Sequence, residues 1–253
     1  LKHYHVSPVR RQLAMDCAQA SLAVKRSLQP EEISLYVGIP FCPTRCAYCS
    51  FISASGSANR LIPAYLDALF GEIDAAGEAA RRAGKTVRTV YIGGGTPTTL
   101  APDQLKALLD RLHTAFDLAP GTEFTVEAGR PDTITREKLE AIRDGGGNRI
   151  SVNPQTMSDL VLETIGRSHR AEDIRQAYAL AREVRVGAIN MDLIAGLPAD
   201  TPAGFAATLD EVIGMDPENI TVHTLALKKG ARLRQENVTL PSGADVARML
   251  DFA

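Results

Sequence analysis

Three cysteines in one short segment could together hold an iron–sulfur cluster. Cys42, Cys46 and Cys49 have the spacing CxxxCxxC and follow closely after the apolar run 35–39. Iron–sulfur clusters are normally held by cysteine thiolates, so these residues could bind three of the four irons of a [4Fe–4S] cube. The fourth iron would have no ligand from the protein and would be open to a small molecule. The spacing therefore predicts a cluster with one open iron.

Zinc and disulfide bonds are the alternative uses of cysteine, and neither fits this pattern. A zinc site usually takes four ligands in paired CxxC groups, but the only other cysteine is Cys17. A chain of 253 residues is also too long to depend on disulfide bonds for its core. Cys17 stands in a segment with helical periodicity, and we interpret it as a small buried hydrophobic residue.

The composition favours a soluble, intracellular enzyme, and an exposed iron–sulfur cluster argues for the reducing environment of the cytoplasm. The chain is 45% hydrophobic and 23% charged, which is sufficient for one large core. The net charge is −2 without a basic block, so we expect no nucleic-acid partner. No apolar run approaches the ~18–20 residues that cross a bilayer, so no membrane span is expected. Because residue 1 is Leu and the sequence stops inside a predicted helix, we expect a fragment of a longer protein.

The hydrophobic periodicity alternates regularly between strand-like and helix-like segments. Strands are predicted at 34–39, 87–92, 123–127, 149–153, 187–194 and 219–225. Helices are predicted between them at 64–83, 102–116, 136–144, 171–183 and 202–215, and a separate helix at 8–27. This alternation predicts an α/β fold with a parallel sheet. Six such units fit in the chain, two fewer than in a complete (β/α)₈ barrel.

Two polar motifs follow early strands, at the carboxyl ends where parallel barrels gather functional groups. Gly93, Gly94 and Gly95 precede Thr96, and glycines allow the backbone to approach a ligand closely or simply to turn. They do not match GxGxxG, so a dinucleotide is not expected. Glu127 closes the third strand, and a carboxylate there is either paired, ligand-facing or solvated.

Further polar residues end the later strands or follow them. Gln155 could bond an adenosine or a carboxylate, or cap a helix. The planar guanidinium of Arg167 could bind a carboxylate through two parallel hydrogen bonds. Alternatively, Arg167 is an exposed surface residue. Asp192 lies within an apolar strand, where an unpaired aspartate is costly, so we expect it to have a partner. It either binds a ligand or is a hydrogen-bonded structural aspartate. We interpret His169 as a capping or surface residue and His223 as a hydrogen-bonded core histidine.

These motifs together resemble a known family. The cysteine motif resembles that of the radical S-adenosylmethionine (SAM) superfamily, and residues 34–42 resemble its oxygen-independent coproporphyrinogen III oxidase (HemN-like) family. The glycine loop and the segments around Gln155, Arg167 and Asp192 follow the family's order across about residues 33–225. The stretches 4–8, 43–51 and 153–157 are most similar to the HemZ branch.

The resemblance implies an open (β/α)₆ partial TIM barrel at 32–226. A helical lead-in at 1–31 would precede it, and 227–253 would begin a further C-terminal region. The implied cofactors are a [4Fe–4S] cluster on Cys42, Cys46 and Cys49 and one or two molecules of SAM, whose cleavage gives a 5′-deoxyadenosyl radical.

The same resemblance implies a role for each remaining motif. Tyr36 would contact the cluster and the first SAM, which would also be bound by Gly94, Gly95, Thr96 and Glu127. A second SAM would be contacted by Tyr48, Gln155, Arg167 and Asp192.

The implied activity is oxidative decarboxylation of porphyrinogen propionates to vinyl groups, with an electron donor such as flavodoxin or ferredoxin. One feature departs from the family, because the best-known decarboxylases carry a fourth cysteine where this chain has Phe51. HemW-like haem chaperones and radical methyltransferases acting on a porphyrin or heterocycle share the barrel, so both are alternatives.

Overall fold

The computed structural model describes residues 6–51, 53–236 and 238–253. The strands are β1 (Glu32–Ile39), β2 (Phe41–Cys42), β3 (Ala54–Ser55), β4 (Thr86–Gly94), β5 (Glu123–Glu127), β6 (Arg149–Ser151), β7 (Ala188–Ala195) and β8 (Asn219–Thr224). The helices are α1 (Pro8–Ser27), α2 (Ile62–Arg82), α3 (Pro102–Phe116), α4 (Arg136–Asp144), α5 (Asp159–Thr164), α6 (Ala171–Val184), α7 (Pro202–Gly214) and α8 (Gly243–Phe252). Tyr4 and His5 of the HemZ-like stretch lie outside the described residues.

The central sheet has six strands in the order β1-β4-β5-β6-β7-β8, and every neighbouring pair is parallel. Each of the six coincides with a predicted strand to within a few residues. In the described part of the chain β1 and β8 each pair with one neighbour, so the sheet does not close. The α/β fold and the open (β/α)₆ partial barrel are therefore confirmed.

Side chains alternate between the two faces of each strand, and the sequence sorts them by polarity. The outward residues are apolar and fully buried under the helices, as with Ile92 on β4 and Met191 on β7. Helix α3 shows the matching pattern, with Leu105, Leu108, Leu109 and Leu112 all at 0% exposure on one face. The inward residues are mostly polar, so the interior of the barrel remains open for a site.

Strand β6 is shorter than predicted: it ends at Ser151, whereas the prediction extended to residue 153. Pro154 has no N–H to donate to the ladder. Pairing resumes at Gln155, which forms an isolated bridge with Leu193. Gln155 has φ +68°, an uncommon backbone conformation for a residue other than glycine. The irregular segment therefore holds Gln155 in one orientation at the end of the barrel.

Helix α1 corrects the prediction for Cys17. The helix has no buried residue, and Cys17 is exposed rather than packed in the core. A contact of α1 with the rest of the chain runs from Arg10 Nη2 to Asp251 Oδ1, at 2.7 Å. None of the described helices is both long and apolar enough to cross a membrane. The division into a lead-in, a barrel and a further region stays a prediction.

Candidate cluster and cofactor site

A cavity of about 610 Å³ opens at the carboxyl ends of the strands. Its lining brings together all but one of the predicted site residues: Cys42, Cys46, Tyr48, Cys49, Gly94, Gly95, Thr96, Glu127, Gln155, Arg167 and Asp192. These residues come from the loops or ends of successive strands, so the parallel topology is what assembles them. Tyr36 is the exception and does not line the cavity.

The three cysteines are free, partly buried and border the cavity; Cys42 ends β2, and Cys46 and Cys49 lie on the loop that follows it. A turn brings the last two together, with the N–H of Cys49 donating to the carbonyl of Cys46 over 3.2 Å. Among the described residues, no three His, Cys, Asp or Glu side chains converge on a point that would hold a single metal ion. The ligands of a cube bind different irons and need not converge on one point, so the three thiols can serve a cluster in this arrangement.

The glycine loop is fastened to the cysteine loop. The N–H groups of Gly95 and Thr96 each donate over 2.8 Å, to the carbonyls of Ile39 and Phe41 respectively. A Cβ on Gly95 would lie 2.5 Å from the Phe41 carbonyl oxygen, and Gly94 has φ +113°. These positions therefore require glycine for backbone packing as well as for access to the cavity.

Glu127 is held by a tyrosine on the neighbouring strand. The Tyr91 hydroxyl donates to Glu127 Oε1 over 2.5 Å, and the Tyr91 ring stacks on Tyr36 with centroids 5.9 Å apart. Burial raises the pKa of Glu127, and the charge of Asp192 raises it further. Glu127 is thus a partly buried acceptor rather than a solvated strand end. Tyr36 reaches this group through Tyr91 and is itself 66% exposed.

Arg167 is buried, which excludes the surface alternative. Its Nη2 donates to the Tyr48 hydroxyl over 2.9 Å, and its Nη1 donates to the Gly129 carbonyl over 3.2 Å. The third donor, Nε, is buried and has no partner among the described residues. Burial raises the pKa of Tyr48 to about 12, so this tyrosine remains neutral beside the guanidinium.

Asp192 has the partner that its burial requires. The Asn190 side-chain amide donates to Asp192 Oδ1 over 2.6 Å. The N–H of Gln155 donates to the Asp192 carbonyl over 2.9 Å, which ties the irregular segment after β6 to β7. The second carboxylate oxygen of Asp192 is available to the cavity.

Sequence reasoning missed several polar residues of the lining: Arg130, Arg149, Asn153 and Asn190. Arg149 and Asn190 have inward positions, which alternation along their strands could have revealed. Two histidine predictions are wrong. His223 is exposed at the cavity because it occupies an inward position of β8, and His169 is buried beside Asp132 with a side-chain exposure of 0%.

Comparison with known proteins identifies the family. Residues 36–212 match the Radical SAM superfamily. The chain is 36% identical to the "oxygen-independent coproporphyrinogen-III oxidase-like protein HemZ" of Bacillus subtilis, in an alignment covering 100% of the chain and 52% of that relative. It is 35% identical to the heme chaperone HemW of the same organism, covering 77% of the chain and 51% of HemW.

The solved structure of coproporphyrinogen III oxidase (HemN) from Escherichia coli superimposes with a TM-score of 0.80 and 31% identity. It covers 89% of this chain and 52% of HemN. The methyltransferase TsrM from Kitasatospora setae, at 17% identity and a TM-score of 0.58, shares the fold alone. The chain thus spans about half the length of HemZ, HemW and HemN. It is similar to all three proteins, which form the HemN-like group. It belongs to the radical SAM superfamily, with a [4Fe–4S] cluster and SAM as its cofactors.

Proposed function

We propose that this chain is the radical SAM barrel of a HemN- or HemZ-type enzyme that oxidatively decarboxylates the propionates of coproporphyrinogen III. The observation that carries the proposal is the likeness to HemN, which extends over 89% of the chain at 31% identity. The cavity at the strand ends, whose lining includes Glu127, Arg167 and Asp192, would be the place for the reaction.

The cysteine loop and the glycine loop would hold the cofactors. Cys42, Cys46 and Cys49 would ligate the cluster, leaving one iron for SAM. When bound, the two cofactors supply a 5′-deoxyadenosyl radical that removes a hydrogen atom from the substrate. The backbone around Gly94 and the Glu127 carboxylate would bind the ammonium group of SAM, since Tyr91 already fixes the orientation of Glu127.

Other residues of the same lining offer charges for a second zwitterion or for the substrate. Arg167 would bind a carboxylate, and Asp192 would accept from an ammonium or a pyrrole N–H. The contact between Arg167 and Tyr48 holds the guanidinium still, so little conformational entropy would be lost on binding. Gln155 would add an amide between them, and all of these residues border the same cavity.

The proposed reaction balances with one external electron acceptor. Loss of a propionate hydrogen atom and of carbon dioxide leaves a vinyl group and one electron, which the acceptor takes. A donor such as flavodoxin or ferredoxin would supply the electron that starts each turnover. The protein's task is to exclude water from the radical, because a carbon radical in contact with solvent is lost to side reactions.

A haem chaperone of the HemW type is the second candidate. The chain is 35% identical to HemW of Bacillus subtilis, close to its identity with HemZ. The exposed His223 imidazole at the cavity is a possible axial ligand for haem iron.

One assay separates the two candidates. The complete protein that carries this sequence is reconstituted anaerobically, reduced and incubated with SAM and coproporphyrinogen III, and products are analysed by mass spectrometry. Loss of carbon dioxide with formation of vinyl groups supports the decarboxylase. Stoichiometric haem binding that is lost in His223→Ala, without vinyl products, would overturn it in favour of the chaperone.

A further inference from the structure

Arg130 is a buried cation that borders both the cavity and the cysteine loop. It follows closely after the end of β5, and its side chain is only 3% exposed. A buried guanidinium is costly unless its donors are paired. Its partners therefore indicate what it does.

Asp132 fixes one edge of the Arg130 guanidinium. Nε and Nη2 each lie 3.0 Å from one of the two carboxylate oxygens, which is a bidentate ion pair. The carboxylate also accepts from Ser168 Oγ over 3.1 Å and lies 3.4 Å from Nδ1 of the buried His169. Burial opposes ionisation of Asp132, but His169 and Arg130 outweigh it and hold its pKa well below the usual range. The His169 contact is long, so the bonds from Arg130 are the firmer link.

The remaining nitrogen of Arg130 faces the cysteine loop. Nη1 donates to the Thr44 carbonyl over 3.2 Å and lies 3.8 Å from Cys46 Sγ, within reach of a hydrogen bond to sulfur. The guanidinium thus joins the end of β5 to the segment between the first two cluster cysteines. Because Asp132 holds the opposite edge, Nη1 cannot turn away from the loop without breaking a buried ion pair.

We infer that Arg130, oriented by Asp132, is a positioning residue that fastens the cysteine loop and donates a hydrogen bond to the Cys46 ligand sulfur. Hydrogen bonds to ligand sulfur and nearby charge are among the features that set the potential of an iron–sulfur cluster. A positive charge favours the more negative, reduced state, so Arg130 raises the reduction potential. The inference rests on the cluster alone and holds for either proposed activity.

The test compares Arg130→Met and Arg130→Lys with the wild type after anaerobic reconstitution and without substrate. The midpoint potential is measured by redox titration monitored by electron paramagnetic resonance, and iron loss is measured with a chelator. We expect Arg130→Met to have a lower potential and to lose iron faster. Arg130→Lys keeps the positive charge but not the two-nitrogen geometry that pairs with Asp132. Its midpoint potential should therefore lie between those of Arg130→Met and the wild type, while it still loses iron faster than the wild type.

Arg111→Met is the control, because Arg111 is also paired with an aspartate: its Nη1 contacts both carboxylate oxygens of Asp74, on the exposed surfaces of α3 and α2. It should change neither quantity. A wild-type potential and wild-type iron loss in Arg130→Met would overturn the inference, as would equal shifts in Arg111→Met. If Arg130→Met retains no cluster, Arg130→Lys is used for the test instead. A wild-type rate of iron loss in Arg130→Lys would then overturn the inference.

Discussion

Arg167 and Tyr48 lie 119 residues apart in the sequence, yet a hydrogen bond of 2.9 Å joins them inside the cavity. Tyr48 stands between two cluster cysteines, and Arg167 follows α5, so the bond connects the cysteine loop to the segment after α5. It gives the proposed carboxylate-binding residue a fixed position before any ligand arrives.

Tyr48→Phe should destabilise the protein and weaken SAM binding. The substitution leaves a buried Arg167 donor unpaired, which costs about 2 kcal/mol for a hydrogen bond to a charged group. Urea unfolding and equilibrium dialysis measure the two effects. Tyr178→Phe is the matched control, because the Tyr178 hydroxyl also accepts from an arginine, Arg182, over 2.8 Å, and neither residue lines the cavity. The control should lose stability and keep its SAM affinity; equal loss of affinity in both would contradict the prediction.

Glu127→Gln should weaken SAM binding about tenfold or more while the fold is preserved. Glutamine can still accept from Tyr91, but it lacks the charge that pairs with an ammonium group, and such a charged hydrogen bond contributes about 1.5–3 kcal/mol. Dissociation constants and melting temperatures are compared with those of Glu123→Gln, an exposed position at the start of the same strand. Unchanged affinity together with a sharply lower melting temperature would mean that Glu127 is structural.

The same residue predicts a pH dependence. Burial raises the pKa of Glu127 in the folded protein above its ordinary value of 4.5. The carboxyl group therefore contributes fully to stability below about pH 4.5, and this contribution is lost as the pH rises through the folded pKa. Relative to Glu127→Gln, which does not titrate, the wild type should become less stable as the pH rises from 4 to 8. The unfolding free energies of the two proteins are measured in urea at several pH values across this range. If the wild type instead gained stability relative to Glu127→Gln as the pH rose, the prediction would be wrong.

Gly95→Ala should displace the cysteine loop. The new Cβ would lie 2.5 Å from the Phe41 carbonyl oxygen and 2.9 Å from the Phe41 nitrogen, and backbone atoms cannot move aside as a flexible side chain can. Overpacking of this kind costs about 1–3 kcal/mol. Gly71→Ala is the control: Gly71 is an exposed position of α2, and its new Cβ would have no atom within 4 Å. This substitution should stabilise the protein by about 0.5–1 kcal/mol. Iron content after reconstitution should fall only in Gly95→Ala.

Cysteine variants should divide into two groups. Replacing Cys42, Cys46 or Cys49 by Ser should reduce the bound iron far below the ~4 atoms of a full cube. Cys17→Ser should retain it, because Cys17 is exposed on a helix that buries no residue. Iron and sulfide analysis with the visible absorption spectrum measures the outcome, and loss of the cluster in Cys17→Ser alone would refute the ligand assignment.

The sequence predicted those parts of the fold that follow from local periodicity. All six strands of the main sheet alternate visibly or form apolar runs, and the glycine loop and Glu127 stand where strands end. The same reasoning failed for Cys17, His169 and His223. Whether Cys17 and His169 are buried depends on which distant segment covers each of them, and local pattern does not contain that information. His223, by contrast, could have been placed at the cavity from the alternation of side chains along β8.

Arg130 shows the same limit within the site. A lone arginine after a strand looks like an ordinary surface residue in a sequence. Its role becomes visible only when the fold brings Thr44 and Cys46 to one side of the guanidinium and Asp132 to the other. By contrast, the cysteine ligands could be predicted because the whole donor set lies within one short loop.

The alternation of side chains along the strands has a consequence for how such a protein can diversify. The outward residues carry the core, whereas inward positions such as Arg149 and His223 line the cavity and bury little apolar area. Replacing inward residues can therefore change what is recognised at small thermodynamic cost, while an insertion of one residue within a strand would exchange the two sets. Descendants of one ancestor could acquire new substrates by point substitution but not by lengthening these strands.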